Sequence, residues 1–217
     1  MKTRLEYLAI CLAVMAATAN FADAQQTCRS EVWTAASDDG TYRNPVIHAD
    51  YSDPDVTAGD DGFYMTASSF NCIPGLPVLF SHDLVNWTIV NHALDKLPAG
   101  LGEAESVPHG KGVWAPSIRR HDGMYYIFWG DPDSGIYMVH TDDPRGKWSE
   151  PHLVRAGRGM IDTTPLWDDD GRAYLVNAWA GSRAGFNSVL TMWEMSPDGR
   201  QLIGDPVLVF DGNDGVN

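Results

Sequence analysis

Two aspartates and one tryptophan stand at equal distances from a recurring Asp-Gly pair. Asp53, Trp114 and Asp162 each lie nine residues before the glycine of such a pair, and an aromatic segment follows each pair. Equivalent positions of a repeat occupy equivalent places in the fold, so we expect these three side chains to face one funnel. Paired carboxylates can activate water and protonate a leaving oxygen, and an indole can stack on a sugar ring. An Asp before Pro is also an ordinary turn former, so the shared spacing supports the site more than any single residue does.

The elements that position these residues are predicted to be short strands. Segments 62–67, 124–129 and 173–176 are aromatic and β-branched. Each follows an Asp-Gly pair, which is the strongest short signal for a β-hairpin. No long segment has the hydrophobic period of a helix. The chain is therefore predicted to be all-β.

The length of the repeat indicates propeller blades. The first repeat is about 61 residues long and the second about 48. Units of this size with four short strands each are typical of β-propeller blades, and a propeller needs at least about four of them to close. Three blades are predicted, and the propeller is expected to be incomplete, with the chain ending in a loop. The predicted blades are 44–105, 106–155 and 156–210.

The N-terminus has the pattern of an export signal. A basic start precedes an apolar stretch at 8–17 that is too short to span a bilayer, and a small-x-small site ends at Ala24. We expect a mature protein in the periplasm or outside the cell, without membrane contact after cleavage; an uncleaved anchor is the alternative. The predicted organisation is a signal peptide (1–24), an N-terminal lead-in (25–43) and a partial propeller domain (44–217).

Charge and residue spacing exclude several classes of partner. With 29 acidic and 15 basic residues, the net charge is -14, and such a chain repels phosphate backbones, so nucleic acid is not an expected partner. The seven histidines show no zinc-binding spacing. Segment 131–135 starts like a calcium loop but lacks the required glycine, so it is interpreted as a turn.

No cofactor is expected. Cys28 and Cys72 would form either a disulfide or two separate thiols.

Several motifs follow one another along the chain, at 44–46, 52–55, 62–64, 81–87, 112–118, 168–175 and 178–185. Together they resemble glycoside hydrolase family 43. The resemblance covers about residues 43–211, and its last motif is similar to a stretch of the β-xylosidase and α-L-arabinofuranosidase branch. It implies a five-bladed β-propeller that hydrolyses glycosidic bonds with inversion. It also implies that xylose or arabinose is released from xylan- or arabinoxylan-derived oligosaccharides or polysaccharides.

The resemblance also implies a role for each candidate residue. Asp53 matches the general base that activates water. Asp162 matches the carboxylate that raises the pKa of the proton donor and orients it. Trp114 would line the sugar subsite, and Arg183 would either touch sugar hydroxyls or form a salt bridge. The family's proton donor is a Glu in a Glu-Gly-Pro motif that this sequence lacks, so the donor is expected beyond Asn217.

Other functions remain open at this point. A chain without its proton donor would bind sugar without cleaving it, or would be an inactive fragment. A retaining fructosidase fits less well, because Ser52 rather than Asn precedes Asp53. Some relatives hold an ion in the central channel, so the resemblance allows a structural ion in the complete propeller, with ligands from later blades.

Overall fold

A computed structural model describes residues 33–98, 101 and 107–214. The predicted signal peptide and Cys28 lie outside these residues. The prediction of an all-β chain is confirmed, because the only helix among the described residues is the single turn α1 (Gly181–Ala184). No helix in the described part of the chain is long and apolar enough to cross a membrane. The strands are β1 (Asp55–Ala58), β2 (Phe63–Thr66), β3 (Gly75–Ser81), β4 (Thr88–Leu94), β5 (Ser117–His121), β6 (Met124–Asp131), β7 (Gly135–Thr141), β8 (His152–Ala156), β9 (Met160–Trp167), β10 (Ala173–Trp179), β11 (Val189–Met195) and β12 (Leu202–Asp211).

The strands form three antiparallel four-stranded sheets, each a simple meander. The first sheet has the order β1-β2-β3-β4, the second β5-β6-β7-β8 and the third β9-β10-β11-β12. The first strands β1, β5 and β9 contact one another in turn. The sheets therefore converge on their first strands, and the starts of those strands lie near one another.

Two apolar cores lie on opposite sides of the second sheet. Side chains of a strand alternate between its two faces, and β6 is apolar on both. Tyr125, Ile127 and Trp129 pack into the core shared with the first sheet. Tyr126 and Phe128 pack into the core shared with the third sheet. Each fully buried side chain of this size contributes about 1.5–3 kcal/mol relative to exposure, so this packing sets how the three strand starts are placed.

The outer faces of the first and third sheets are apolar but exposed. A concavity of about 720 Å³ lies on the first sheet, between segment 44–51 and side chains that include Val56, Met65 and Leu84. On the third sheet, the consecutive residues 207–210 of β12 are each more than half exposed. Apolar surfaces of this kind are typical of places where further protein packs.

Candidate active site

A small polar pocket lies where the first strands begin. It has a volume of about 230 Å³ and is lined by three segments of three residues each, 53–55, 115–117 and 162–164. One segment comes from the start of β1, one from the start of β5 and one from within the beginning of β9. Sheet packing thus brings Asp53 and Asp162 to a single pocket although they are far apart in the sequence. The larger apolar concavity contains no carboxylate, so the smaller pocket is the candidate site.

The three strand starts share an unusual backbone conformation. Asp53 has φ 52°, Ala115 has φ 39° and Asp162 has φ 52°. A left-handed conformation is uncommon for residues other than glycine and is often found at functional sites. These three residues are therefore structurally equivalent. Ala115, not Trp114, holds the position in the second sheet that the two aspartates hold in the first and third.

Different hairpin lengths explain why counting back from glycine reaches Trp114. The paired part of the first strand ends at Ala58 in the first sheet and at Trp167 in the third, five residues after the left-handed aspartate in each case. In the second sheet it ends at His121, six residues after Ala115. The glycine lies four residues beyond Ala58 and Trp167 but only two beyond His121, in a tight two-residue turn. Counting nine residues back thus overshoots by one in the second sheet.

Asp53 has one carboxylate oxygen held and one unengaged. Its Oδ2 accepts a hydrogen bond of 2.6 Å from Ser68 Oγ. Its Oδ1 makes no hydrogen bond to any residue that the structure describes, and the side chain is exposed in the pocket. Asp55 also lines the pocket, but its Oδ2 accepts from the Ile118 N–H at 2.8 Å and from the Arg119 guanidinium. Asp55 therefore ties the first two sheets together, whereas Asp53 can accept a proton.

Asp162 lies in a different electrostatic environment. Partial burial, and then the negative charge of Asp53, raise the pKa of its carboxyl above the ordinary value of 3.8. The side chain is exposed towards the pocket, as that of Asp53 is, so its burial is incomplete. No described residue donates a hydrogen bond to it. Asp162 therefore keeps its proton to a higher pH than an ordinary aspartate, and once ionised it would raise the pKa of a neighbouring acid.

Trp114 lies beside the pocket, next in sequence to Ala115. Its side chain is about half exposed, and its indole N–H donates to the carbonyl of Gly110 at 3.0 Å. Its ring packs against Phe70, with 4.3 Å between centroids and a tilt of 56°. Phe70 was not predicted from the sequence, because it lies in the loop between β2 and β3 and has no counterpart in the repeat. Together the two rings form an aromatic pair near the carboxylates.

Arg183 is engaged in a salt bridge and does not line the carboxylate pocket. Its Nε donates to Asp133 Oδ1 at 3.0 Å and its second terminal nitrogen to Oδ2 at 3.2 Å. This bond lowers the pKa of Asp133 to about 2, and Lys111 lies 3.5 Å from the same carboxylate. Of the two roles considered from the sequence, the structure contains the salt bridge.

The described residues show no metal centre. They contain no group of three or more His, Cys, Asp or Glu side chains that could hold a metal ion. Segment 131–135 forms the turn between β6 and β7, in which Asp131 Oδ1 accepts from the Asp133 and Ser134 N–H groups at 3.0 and 2.8 Å. Cys72 is exposed, and its proposed partner Cys28 lies outside the described residues.

Comparison with known proteins places the chain in a family. The family model described as glycosyl hydrolases family 43 matches residues 42–217, and the chain belongs to this family. It is 36% identical over 174 residues to a putative β-xylosidase of Xylanibacter ruminicola, covering 80% of this chain and 31% of that protein. It is 34% identical over 141 residues to a non-reducing end α-L-arabinofuranosidase of Bacteroides ovatus, covering 63% and 26%.

Solved structures give the same relationship. The crystal structure of a xylan β-1,4-xylosidase from Bacillus halodurans matches with a TM-score of 0.63 and 27% identity, over 79% of this chain and 34% of that one. The chain thus spans about a third of the length of the curated relatives that it matches.

Proposed function

We propose that the protein is an exported glycosidase that releases xylose or arabinose units from xylan- or arabinoxylan-derived oligosaccharides with inversion. The observation that carries this proposal is the convergence of Asp53 and Asp162 on one pocket, each at the left-handed start of a strand. Family membership and the xylosidase and arabinofuranosidase names of the relatives support the reaction class and the substrate.

In the proposed mechanism, Asp53 acts as the general base. A water molecule gives its proton to Asp53 Oδ1 while its oxygen attacks the anomeric carbon. The bond from that carbon to the leaving oxygen breaks on the opposite face of the ring, and a proton donor protonates the leaving oxygen. Inverting enzymes separate base and donor by about 6.5–9.5 Å, which leaves room for the water.

The proton donor is proposed to be a carboxylic acid from beyond residue 217. Asp55 is committed to Ile118 and Arg119, so it is not a suitable donor. Asp162 is proposed to keep the donor protonated, because a nearby negative charge raises the pKa of a carboxyl group. Trp114, which is half exposed and backed by the half-buried Phe70, is proposed to stack on the sugar.

The exposed outer faces fit a larger assembly of sheets. Two sheets added between the apolar faces of the first and third sheets would complete the five-bladed propeller inferred from the family resemblance. They would cover residues 207–210 and the concavity beside segment 44–51. The same addition would close the ring around the pocket.

The experiment is a stereochemical assay of the protein expressed from its complete coding sequence. The substrates are xylo-oligosaccharides and arabinose-substituted xylo-oligosaccharides, and proton NMR follows the anomer that first appears. We expect free pentose whose configuration is opposite to that of the cleaved bond. Retention of configuration would contradict the inverting mechanism.

Two variants show whether the activity belongs to this pocket. Asp53→Asn should lower the rate of release by about 10³-fold. Asp50→Asn is the matched control, because Asp50 is exposed three residues away, accepts a hydrogen bond from Ser52 Oγ at 3.0 Å and does not line the pocket. Binding of the oligosaccharides without any release would instead identify a carbohydrate-binding protein.

A further inference from the structure

Ser68 is the residue that holds the candidate base in place. It lies two residues after the end of β2 and is half-buried. Its backbone N–H donates to the carbonyl of Ser52 at 3.0 Å, which extends the pairing of β1 and β2 to the level of Asp53. Its hydroxyl oxygen lies 2.6 Å from Asp53 Oδ2 and 2.8 Å from the backbone nitrogen of Ala115.

The chemistry of these two contacts determines where the hydroxyl proton goes. The Ala115 N–H can only donate, so Ser68 Oγ accepts from it. The single proton of the hydroxyl is then directed to Asp53 Oδ2, because an ionised carboxylate only accepts. This hydrogen bond is charge-assisted and short. It fixes the rotamer of Asp53 and leaves Oδ1 directed to the pocket.

The same short segment also supports the aromatic pair. The Ser69 N–H donates to the Val113 carbonyl at 2.9 Å, the Val113 N–H donates back at 3.2 Å, and the Gly112 N–H donates to the Phe70 carbonyl at 2.8 Å. Segments 68–70 and 112–115 therefore pair like two strands. Ser68 ends this pairing at the point where it reaches the carboxylate.

We propose that Ser68 is a positioning residue for Asp53 and joins the base to the loop that carries Trp114. This inference rests on the proposed function, in which Asp53 activates the water. Without the hydroxyl, Asp53 can rotate and Ala115 loses its partner, while the aromatic pair keeps its own contacts. A misplacement of about 1 Å at a reacting group can cost about 10²-fold in rate. Loss of the Ser68 hydroxyl should therefore lower kcat more than it weakens the binding of sugar.

The test compares Ser68→Ala, Ser68→Thr and Ser52→Ala in the protein from the complete coding sequence. Ser68→Ala should lower kcat by about 10²-fold with little change in KM, and Ser68→Thr should recover most of the loss because it keeps a hydroxyl on the same carbon. Ser52→Ala is the matched control, because its hydroxyl contacts Asp50 and not Asp53. Normal kcat in Ser68→Ala would overturn the proposal. So would an equal loss in both Ser68 variants accompanied by a lower melting temperature.

A crystal structure of Ser68→Ala tests the inference without activity. The Asp53 carboxylate should leave the position that it occupies in the wild-type protein, and an unmoved carboxylate would overturn the proposal. Failure of the proposed function gives a different result, since the wild-type protein and Asp53→Asn would then release equally little sugar.

Discussion

Asp53 and Asp162 occupy the same position in two sheets, yet their surroundings differ. Both have φ 52° and both line the pocket. Asp53 receives a hydrogen bond from Ser68. Asp162 receives none from the described residues, and its pKa is raised by burial and by the charge of Asp53. The fold thus repeats a backbone position, while the described side chains supply a hydrogen-bond donor to one carboxyl group and none to the other.

The largest effect on activity is expected from replacing Asp53, the proposed general base. Asp53→Asn should lower kcat by about 10³-fold for every substrate, since general bases contribute about 10²–10⁴-fold. Asp162→Asn should lower activity less and shift the alkaline limb of the pH-rate profile to lower pH, because the proton donor loses a neighbouring negative charge.

Kinetics with two classes of substrate separate the two roles. Aryl glycosides with good leaving groups need little protonation, whereas oligosaccharides need it fully. Asp162→Asn should therefore lose activity on oligosaccharides and keep it on activated aryl glycosides, and lower pH should restore part of the loss because the donor is protonated again. A loss on oligosaccharides that persisted at every pH would identify Asp162 itself as the proton donor. Near-normal turnover in Asp53→Asn would remove the assigned base.

One added methyl group at Gly112 can disturb the pairing of segments 68–70 and 112–115, which supports Asp53 and has no counterpart described beside Asp162. A Cβ at Gly112 would lie 2.1 Å from the Ser69 carbonyl oxygen, so Gly112→Ala must force the two segments apart. We expect a loss of about 1–3 kcal/mol in the free energy of unfolding and reduced turnover. Gly146→Ala is the control, because its nearest contact would be 3.1 Å, to a side-chain oxygen. Equal denaturation midpoints for both variants would contradict this account.

The pH dependence of stability gives a smaller effect with a defined sign. The pKa of Asp162 is raised above 3.8 in the folded protein, so ionisation costs the folded state more than the unfolded one. The free energy of unfolding of Asp162→Asn should therefore increase relative to wild type as the pH rises from about 3 to about 7.

Asp133 should behave in the opposite way, because its pKa is lowered to about 2. Asp133→Asn should have a lower free energy of unfolding than wild type near neutral pH, and this difference should shrink as the pH falls. Urea denaturation across this range measures both, and trends of the same sign would contradict the assignment.

The smallest effect is expected at Arg183. Its guanidinium is already paired with Asp133 and contacts neither pocket aspartate, so Arg183→Gln should leave KM for oligosaccharides unchanged. Steady-state kinetics give the answer directly. A clear rise in KM would restore sugar contact as the role of this residue.

The sequence was sufficient to predict the all-β class and the meeting of Asp53 and Asp162 in one pocket. These follow from the Asp-Gly hairpins and from a spacing that the first and third sheets share. The count failed for the second sheet, because its first strand runs one residue further and its turn is two residues shorter than in the first sheet, which places the glycine eight rather than nine residues after the left-handed position. Phe70 and Ser68 were not predicted. Phe70 contacts Trp114, and Ser68 contacts Asp53, only in the folded chain, because each pair is distant in the sequence. The environment of Asp162 was equally inaccessible, because burial depends on the folded chain.

The meander order of the strands has a consequence for how the protein folds. Every strand pairs with its neighbour in sequence, so each sheet forms from short-range contacts, which are rapidly made. The pocket takes its three segments from three different sheets and exists only after these have docked. We therefore expect the pocket to be the last part of the described chain to assemble and the first to come apart, while the strand ladders around it persist.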